Sequence, residues 1–584
     1  MSRNDEVAAL FEEFADLLEA QDVSYKPQTY RRAAENIREF GQPIEAVAAE
    51  GQSALAEIDG VGDAISSKIV EYVETGTIEE LEEARADLPV EMAALTRVEG
   101  VGPKTVGRLY EALGVETLDD LETAAREGKI REVKGFGAKT EENILENIPF
   151  AREARERSLL GEARPVADDL LAFLAGHEAV AEAEVAGSIR RWRETIGDVD
   201  VLVASEDPAR VLAAFTDWED ATTVIESGTS KASVRVDGLR VDLRVVVPNE
   251  YGAALQYFTG SKEHNVTLRN RAIARGLKMN EYGVFDVSDV EDPDAGQRVG
   301  ERVAGRTEEE MYAALELAWM PPELREDTGE VEAAAADDLP TPVATDEIRG
   351  DLHTHTDWSD GRATLDEMLA AAAERGYDYY AVTDHATGPG MVGGVGLSDE
   401  ELAEQASVVD EAAAAVDVEV FHGVEANIDA EGELSVGDDL LDRLDIVVAS
   451  PHAALDQGRE EATDRLVRAV EHPAVDVLGH PTGRLLNRRA GLELDYERIA
   501  AAAADAGTAL EVNANPHRLD LSGTGVRAAV DAGAIVVVNT DAHAPAELDY
   551  VRYGVHTARR GWAESVDVLN TWRATDVRSF LGDG

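Results

Sequence analysis

At 584 residues the chain exceeds what one hydrophobic core can organise, and two to four domains are expected. Asp and Glu number 118 against 54 Lys and Arg, a formal net charge of −64, which opposes binding to a phosphate backbone unless concentrated salt screens the repulsion to a Debye length of ~3 Å near 1 M. The lack of cysteine excludes disulfides, thiolate metal sites and thiol nucleophiles, and no apolar run approaches the ~20 residues of a membrane span.

The acid is spread along ordinary amphipathic segments, which favours a salt-filled cytoplasm over an acidic tail. The nine lysines all fall between Lys26 and Lys278. The start, MSRNDEVAALFEEF, carries no secretion-signal pattern, so a cytoplasmic protein is expected.

Helical periodicity dominates residues 5–160, and one motif recurs as LAEIDGVGDAISSKIVEY, LTRVEGVGPKTVGRLYEAL and IREVKGFGAKTEENILENI. Leu55, Leu95 and Ile130 correspond, as do Gly60, Gly100 and Gly135, then Gly62, Gly102 and Gly137. A helix, a two-glycine hairpin and a second helix present bare amides at a helix N-terminus, a site for phosphate. An ordinary glycine-capped turn accounts for one copy but poorly for three. Lys104 and Lys139 follow the hairpin in two copies, and Lys68 lies on the helix after the first.

The next informative stretch is GSIRRWRETIGDVD, Gly187 to Asp200. Asp198 and Asp200 flank a valine at the start of an apolar run, so both carboxylates face one side of a strand and suit Mg²⁺. Gly187 and Ser188, at an expected strand-to-helix turn, offer an amide and a hydroxyl to phosphate oxygens. VRVDGLRVDLRVVV reads as a hairpin turning at Asp237-Gly238. Its second strand puts Asp242 on the same face as Arg240, which can keep the carboxylate ionised.

Residues 321–347 mix prolines, acids and alanines without periodicity and read as a linker. Beyond it, seven strand-like runs alternate with helical segments, and most end in a metal-ligand residue. Those residues are His353 and His355, His385, Glu425, His452, His480, and Asp541 with His543; the remaining run ends at Asn513. Parallel strands alternating with helices suggest a barrel whose chemistry sits at the strands' C-terminal ends. So many ligands imply two or three ions, and imidazole with carboxylate suits Mn²⁺, Zn²⁺ or Fe²⁺ better than Mg²⁺.

These motifs carry a resemblance. The GS…DVD pattern, Asp242, YFTGS (Tyr257–Ser261) and RGLKMNEYGVF resemble the palm of a family X DNA polymerase of the polymerase beta type. The repeats resemble helix-hairpin-helix units, which grip DNA through its backbone. The pattern H-x-H, T-D-H, E-x-N, S-P-H, G-H-P and D-A-H resembles a PHP domain, of the polymerase and histidinol phosphatase superfamily.

The resemblance implies a multidomain α+β and α/β chain. It comprises an 8-kDa-like helical domain (1–90), a fingers-like region (91–150), a nucleotidyltransferase palm with its nascent-pair-binding subdomain (151–320), the linker, and a distorted (β/α)7 PHP barrel (348–584). It implies Mg²⁺ at Asp198, Asp200 and Asp242, and phosphate contacts from Gly187, Ser188 and Arg191. Tyr257 and Phe258 would pack on the sugar, Gly260 and Ser261 would belong to the same nucleotide site, and Asn265 and Arg269 would reach the nascent pair or its template. Lys68 matches a Schiff-base lysine for 5′-deoxyribose-phosphate removal, with Tyr30 and Arg31 as its phosphate pocket. The PHP ligands would be His353, His355, Asp360, His385, Glu425, His452, His480, Asp541 and His543, holding Mn²⁺ or Zn²⁺.

The expected task is filling short gaps in nicked or gapped DNA from dNTPs during base excision repair, as a monomer from a halophile such as a haloarchaeon. The barrel would trim 3′ ends in the 3′→5′ direction, with cutting at abasic sites as a further expectation. Two alternatives stand beside this: a barrel that hydrolyses small phosphate esters, and a barrel that is a structural module.

Overall fold

The computed structural model describes residues 3–23, 25–38, 44–56, 58, 60–98, 100–388 and 396–582. They form two compact units: Met1–Arg157 with Asn487–Ala490, and Ser158–Leu486 with Gly491–Gly584. No helix among the described residues is long and apolar enough to cross a membrane.

The first unit is helical. The three hairpins share one backbone. Gly60, Gly100 and Gly135 adopt φ of 73°, 80° and 92°, a left-handed turn that glycine enters without cost. Gly62, Gly102 and Gly137 then cap the helices Asp63–Thr75, Pro103–Leu113 and Ala138–Glu156 with extended backbone and no side-chain cap. Leu55, Leu95 and Ile130 on one side, with Ile69, Leu109 and Ile144 on the other, are all buried in one core. The repeated apolar positions therefore clamp each hairpin and leave its first-turn amides pointing outward.

The second unit opens with the palm sheet, in spatial order β1 (Glu182–Val185), β2 (Val199–Ala204), β5 (Leu239–Val246), β4 (Lys231–Val236) and β3 (Thr223–Ser227). β2 and β5 run parallel, their only parallel neighbours in the sheet. The β4–β5 hairpin turns at Asp237 and Gly238, with φ of 47° and 84°, as the Asp-Gly pair requires. A small antiparallel sheet follows, β6 (Leu277–Asn280), β7 (Gly283–Asp286) and β8 (Glu301–Ala304), packed on helices around Leu268, Met311 and Tyr312.

The barrel strands lie side by side in chain order: β9 (Gly350–Asp351), β10 (Tyr379–Val382), β11 (Glu419–Asn427), β12 (Ile446–Ser450), β13 (Val477–Leu478), β14 (Ala509–Asn513) and β15 (Val536–Asn539). All six neighbouring pairs are parallel, and a parallel bridge from Thr354 to Ala542 nearly closes the sheet on itself. Phe421 and Glu425 share a face of β11. Phe421 packs with Tyr379, Val448, Val477 and Val537, while Glu425 meets the histidines further along the strands.

Residues 321–347 correct the linker expectation. Glu330–Ala336 is a helix, Val331 and Ala334 join the core around Tyr312, and Val343 joins the barrel core. Arg325 is fully buried against Glu308, Glu330 lies 2.6 Å from His264, and Glu323 lies 2.6 Å from His556. The segment looks solvated in sequence because its charges are buried as pairs. Palm and barrel consequently share one compact unit.

Candidate functional site

In the palm, the register sets Asp200 directly opposite Asp242 across β2 and β5, while Val199, Val201, Val241 and Leu243 point into the core. Asp198 immediately precedes β2, and each of the three aspartates offers an oxygen within 4.8 Å of the others. Gly187, at φ 63°, opens the short helix Gly187–Arg190; a Cβ there would stand 2.5 Å from Asp200 Oδ2. Only glycine lets this turn approach the carboxylates.

Burial first, then the Asp198 and Asp242 charges, push the Asp200 carboxyl up to about 7. Asp242 goes the other way. Burial opposes its charge, but hydrogen bonds from Arg240 at 2.8 Å and the Lys231 ammonium at 2.7 Å hold it below the usual range. Lys231 and Arg244 were not foreseen; Arg244 lies over the Phe258 ring at 4.6 Å. The only available signal was strand alternation from Asp242 to Arg244. Three crowded carboxylates, one driven toward protonation by burial and then by its neighbours, fit a divalent cation.

Several of the nucleotide residues named from sequence are already engaged within the fold. Arg191 bonds Glu326 at 2.9 Å and the Thr259 carbonyl at 2.6 Å. Tyr257 and Phe258 end the Tyr251–Thr259 helix with rings edge to face, centroids 5.1 Å apart. Ser261 caps the Lys262–Ile273 helix by accepting from the His264 amide. Asn265 donates to the Tyr257 and Gly260 carbonyls, and a Cβ on Gly260 would strike its side chain. Arg269 is exposed and bonds only the Asn265 carbonyl among the contacts seen.

In the helical unit, Lys104 and Lys139 are exposed beside their hairpins. The Lys68 group departs from expectation. Tyr30 is buried against Phe11 and Phe14, and Arg31 is held by Asp16 and Glu19, each at 2.6 Å. Burial alone would lower the Lys68 amine, but Glu80 at 2.9 Å and Tyr30 outweigh it and raise the amine above its usual range. A Schiff-base lysine needs the opposite shift.

The barrel gathers all nine residues expected as PHP ligands. Glu425 is central: an oxygen lies 2.6 Å from His385, 2.9 Å from His480, 3.2 Å from His452 and 3.5 Å from His353. Asp541 lies 3.0 Å from His355, and Asp360 lies 3.3 Å from His543 and 3.5 Å from His385. Three donor sets overlap: His355, Asp360, His385 and His543; His353, His355 and Glu425; and His385, Glu425 and His452. Ring nitrogens of His353, His355, His385, His452 and His480, and one Glu425 oxygen, are buried and, despite these close approaches, make no aligned hydrogen bond among the described residues. Such groups are costly unless something binds them, so the donor set fits a cluster of metal ions. Although burial opposes ionisation, the surrounding imidazoles hold Glu425 and Asp541 well below the carboxylate range.

A supporting layer is only partly read from sequence, which names Asn513 and the T-D-H run but gives Glu511 and Asp384 no role. Glu511, on β14, lies 2.7 Å from His353 Nδ1 and accepts from the His480 amide at 2.7 Å. Asn513 donates to Asp541 at 2.9 Å. Asp384, between the named Thr383 and His385, accepts from Thr356, Ser359 and Gln405. Period two along LEVN, with Glu511 and Asn513 on one face, was the available signal.

Family models agree with this layout. A helix-hairpin-helix domain matches residues 2–78, a SAM-like helix-hairpin-helix tandem 92–148, a DNA polymerase beta thumb 254–326, and a PHP domain 351–515. The thumb match runs into the stretch first read as a linker. Fold and site together define a polymerase beta-type nucleotidyltransferase joined to a PHP barrel. The chain is 35% identical to the DNA polymerase/3′-5′ exonuclease PolX of Bacillus subtilis (strain 168) over 581 residues, covering 99% of each. It therefore belongs to the PolX family of family X DNA polymerases with a C-terminal PHP domain. The barrel region is also 32% identical, over 33% of this chain and 75% of the relative, to a probable phosphatase of Shewanella sp. (strain MR-4). A probable phosphatase of Caldanaerobacter subterraneus subsp. tengcongensis is 33% identical over a similar span, covering 75% of that protein.

Proposed function

We propose that the protein fills short gaps in double-stranded DNA from dNTPs and processes 3′ ends by 3′→5′ phosphodiester hydrolysis, acting as a monomer in base excision repair. The observation that carries this reading is the presence, in one chain aligned end to end with a DNA polymerase/3′-5′ exonuclease, of two separate donor clusters of different chemistry. Asp198, Asp200 and Asp242 would hold Mg²⁺, and the barrel set Mn²⁺ or Zn²⁺, each supplying Lewis-acid stabilisation to a phosphoryl centre when bound.

The chain's own residues do the rest. Gly187 and Ser188 present an amide and a hydroxyl to the triphosphate beside the carboxylates. Tyr257 and Phe258 flank the sugar. The hairpin amides after Gly62, Gly102 and Gly137 take backbone phosphates without reading sequence. In the barrel, Glu511 and Asn513 orient His353 and Asp541. Cleavage at abasic sites by the same barrel belongs to this proposal. A barrel restricted to small phosphate esters is the second reading, favoured by the two relatives named as probable phosphatases.

The net charge of −64, spread along the chain, supports adaptation to molar salt in a halophilic, haloarchaeal cytoplasm. One experiment tests these points together. A gapped, 5′-labelled primer–template is incubated with Mg²⁺ or Mn²⁺, with and without dNTPs, from about 0.1 M to about 1 M KCl. Extension with dNTPs, shortening without them, and activity rising with salt are expected. No extension under any condition refutes the polymerase. Hydrolysis of small esters without shortening establishes the second reading of the barrel, and maximal activity at the lowest salt refutes the halophilic one.

A further inference from the structure

The turn that carries Ser188 does not rest on the palm alone. Trp192, four residues on, is buried and holds a left-handed backbone at φ 53°. A non-glycine residue keeps that conformation only when its surroundings over-determine it. The surroundings here come from both halves of the unit. Trp192 stacks on His556 of the barrel helix Val551–Arg560, centroids 3.6 Å apart and planes at 4°. Its ring also meets Tyr553 of that helix edge-on at 6.0 Å, and the Arg164 guanidinium of the palm lies over it at 4.7 Å.

His556 is itself fixed. Its Nδ1 lies 2.6 Å from Glu323, which also binds Arg559 at 2.8 Å. From Trp192 the restraint passes directly to the nucleotide turn: the Trp192 amide donates to the Ile189 carbonyl at 3.2 Å, and the Arg193 amide to the Ser188 carbonyl at 3.1 Å. Ser188 is thereby tied by one backbone bond to the residue after the stacked tryptophan. The ring stack joins two parts of the chain more than 360 residues apart in sequence, Trp192 and His556.

We propose that His556, on the barrel helix Val551–Arg560 and outside the donor set, is a positioning residue for the polymerase, holding the Ser188 turn in its dNTP-binding geometry by clamping Trp192. This rests on the polymerase reading given above. The same contact explains why the barrel helix carries an aromatic ring at the palm boundary, where a charged or small side chain would leave the left-handed Trp192 unsupported.

The test separates the ring from its hydrogen bond. His556→Ala and His556→Gln remove the stack, the glutamine retaining an amide for Glu323; His556→Phe keeps a ring and loses the bond. In full-length protein the alanine and glutamine variants should raise the dNTP KM about tenfold with kcat within about twofold. Phenylalanine should restore the wild-type KM. Manganese-dependent shortening of a labelled 3′ end, measured on the same samples, should stay at the wild-type rate and report that the unit is folded. If the alanine variant loses both activities, the phenylalanine–glutamine pair decides. An unchanged KM in the glutamine variant, or a phenylalanine variant as impaired as glutamine, overturns the proposal while leaving the polymerase reading intact. A wild-type protein that incorporates no nucleotide overturns the polymerase reading and this proposal with it.

Discussion

The palm site and the barrel site are both built at the ends of parallel strands, yet they solve the problem of holding cations in opposite ways. The palm offers three carboxylates and no imidazole, with Asp198 and Asp200 partly exposed and Asp200 pushed up to about 7 by burial and its neighbours. The barrel offers nine residues, six of them buried, with a supporting carboxylate behind His353. A site with three acids is incomplete until substrate phosphates supply the remaining oxygen ligands. A site with nine donors is complete before substrate arrives. On the proposed reading the palm would be completed by its nucleotide, whereas the barrel's donors are already gathered by its fold.

The largest expected effects come from breaking either site alone. Asp242→Ala should reduce nucleotide addition by at least about 10³-fold, with DNA binding nearly unchanged, because it removes a cation ligand and not a phosphate anchor. Replacing His353 and His355 together should abolish 3′-end shortening and leave gap filling in place. The two activities on one labelled gel check both. Robust extension by the Asp242 variant removes the palm assignment. Shortening at the wild-type rate by the double variant places the nuclease elsewhere.

Much of this contrast was legible before the fold was known, for simple reasons. Strand alternation put Asp198 and Asp200 on one side, the Asp-Gly turn fixed the hairpin, and Arg240 was correctly paired with Asp242. The expected barrel donors, Asp360 apart, stand out in the sequence because they close apolar runs. What sequence hid was pairing across distance. The Asp200–Asp242 register needs β2 and β5 to be neighbours, whereas the Lys231 contact comes from the β4–β5 hairpin, which pairs Lys231 with Arg244 and Ser233 with Asp242. Glu511 looks like any acid in a very acidic chain until His353 is placed beside it. Buried pairs disguised residues 321–347 as a linker, and local carboxylates occupy Arg31 and Arg191, which sequence had assigned to phosphate.

The junction between the two sites should respond next. Burial alone would raise the Glu323 carboxyl, but His556 and Arg559 hold it down at about 2. Its folded value lies below its unfolded one, so its stabilisation is complete above pH about 4.5 and is lost as the pH falls toward about 2. A shift of this size corresponds to roughly 3 kcal/mol. Glu323→Gln should therefore lower thermal stability at neutral pH and flatten its decline between those limits. Equal stability of variant and wild type at neutral pH would mean the pair contributes nothing net, as buried ion pairs sometimes do. If the two sites share one cooperative unit, both activities should be lost at the same temperature.

A smaller change sharpens the claim that the barrel is self-sufficient. Glu511→Gln keeps shape and removes charge behind His353, and should weaken metal binding about 10–100-fold. Titration of shortening activity with Mn²⁺ should show the midpoint moving while the maximal rate is retained. Gap filling in Mg²⁺ should not move. An unchanged Mn²⁺ midpoint would show that Glu511 merely satisfies a buried imidazole.

The smallest effect is expected at Lys68, where the helical unit has the residue a lyase would use but the wrong electrostatics. The side chain is 10% exposed, and burial by itself would favour the neutral amine that attacks an aldehyde. Glu80 and Tyr30 reverse this and hold the amine above its usual range, which favours the ammonium over the free amine a Schiff base needs. Borohydride treatment with a 5′-deoxyribose-phosphate substrate should then trap no more adduct with wild type than with Lys68→Ala. Glu80→Gln removes the main opposing charge and leaves burial dominant, so adduct should appear in that variant and vanish when Lys68→Ala is added. A Lys68-dependent adduct in the wild type would mean that DNA displaces Glu80 on binding, and the lysine would join the palm as a second site completed by its substrate.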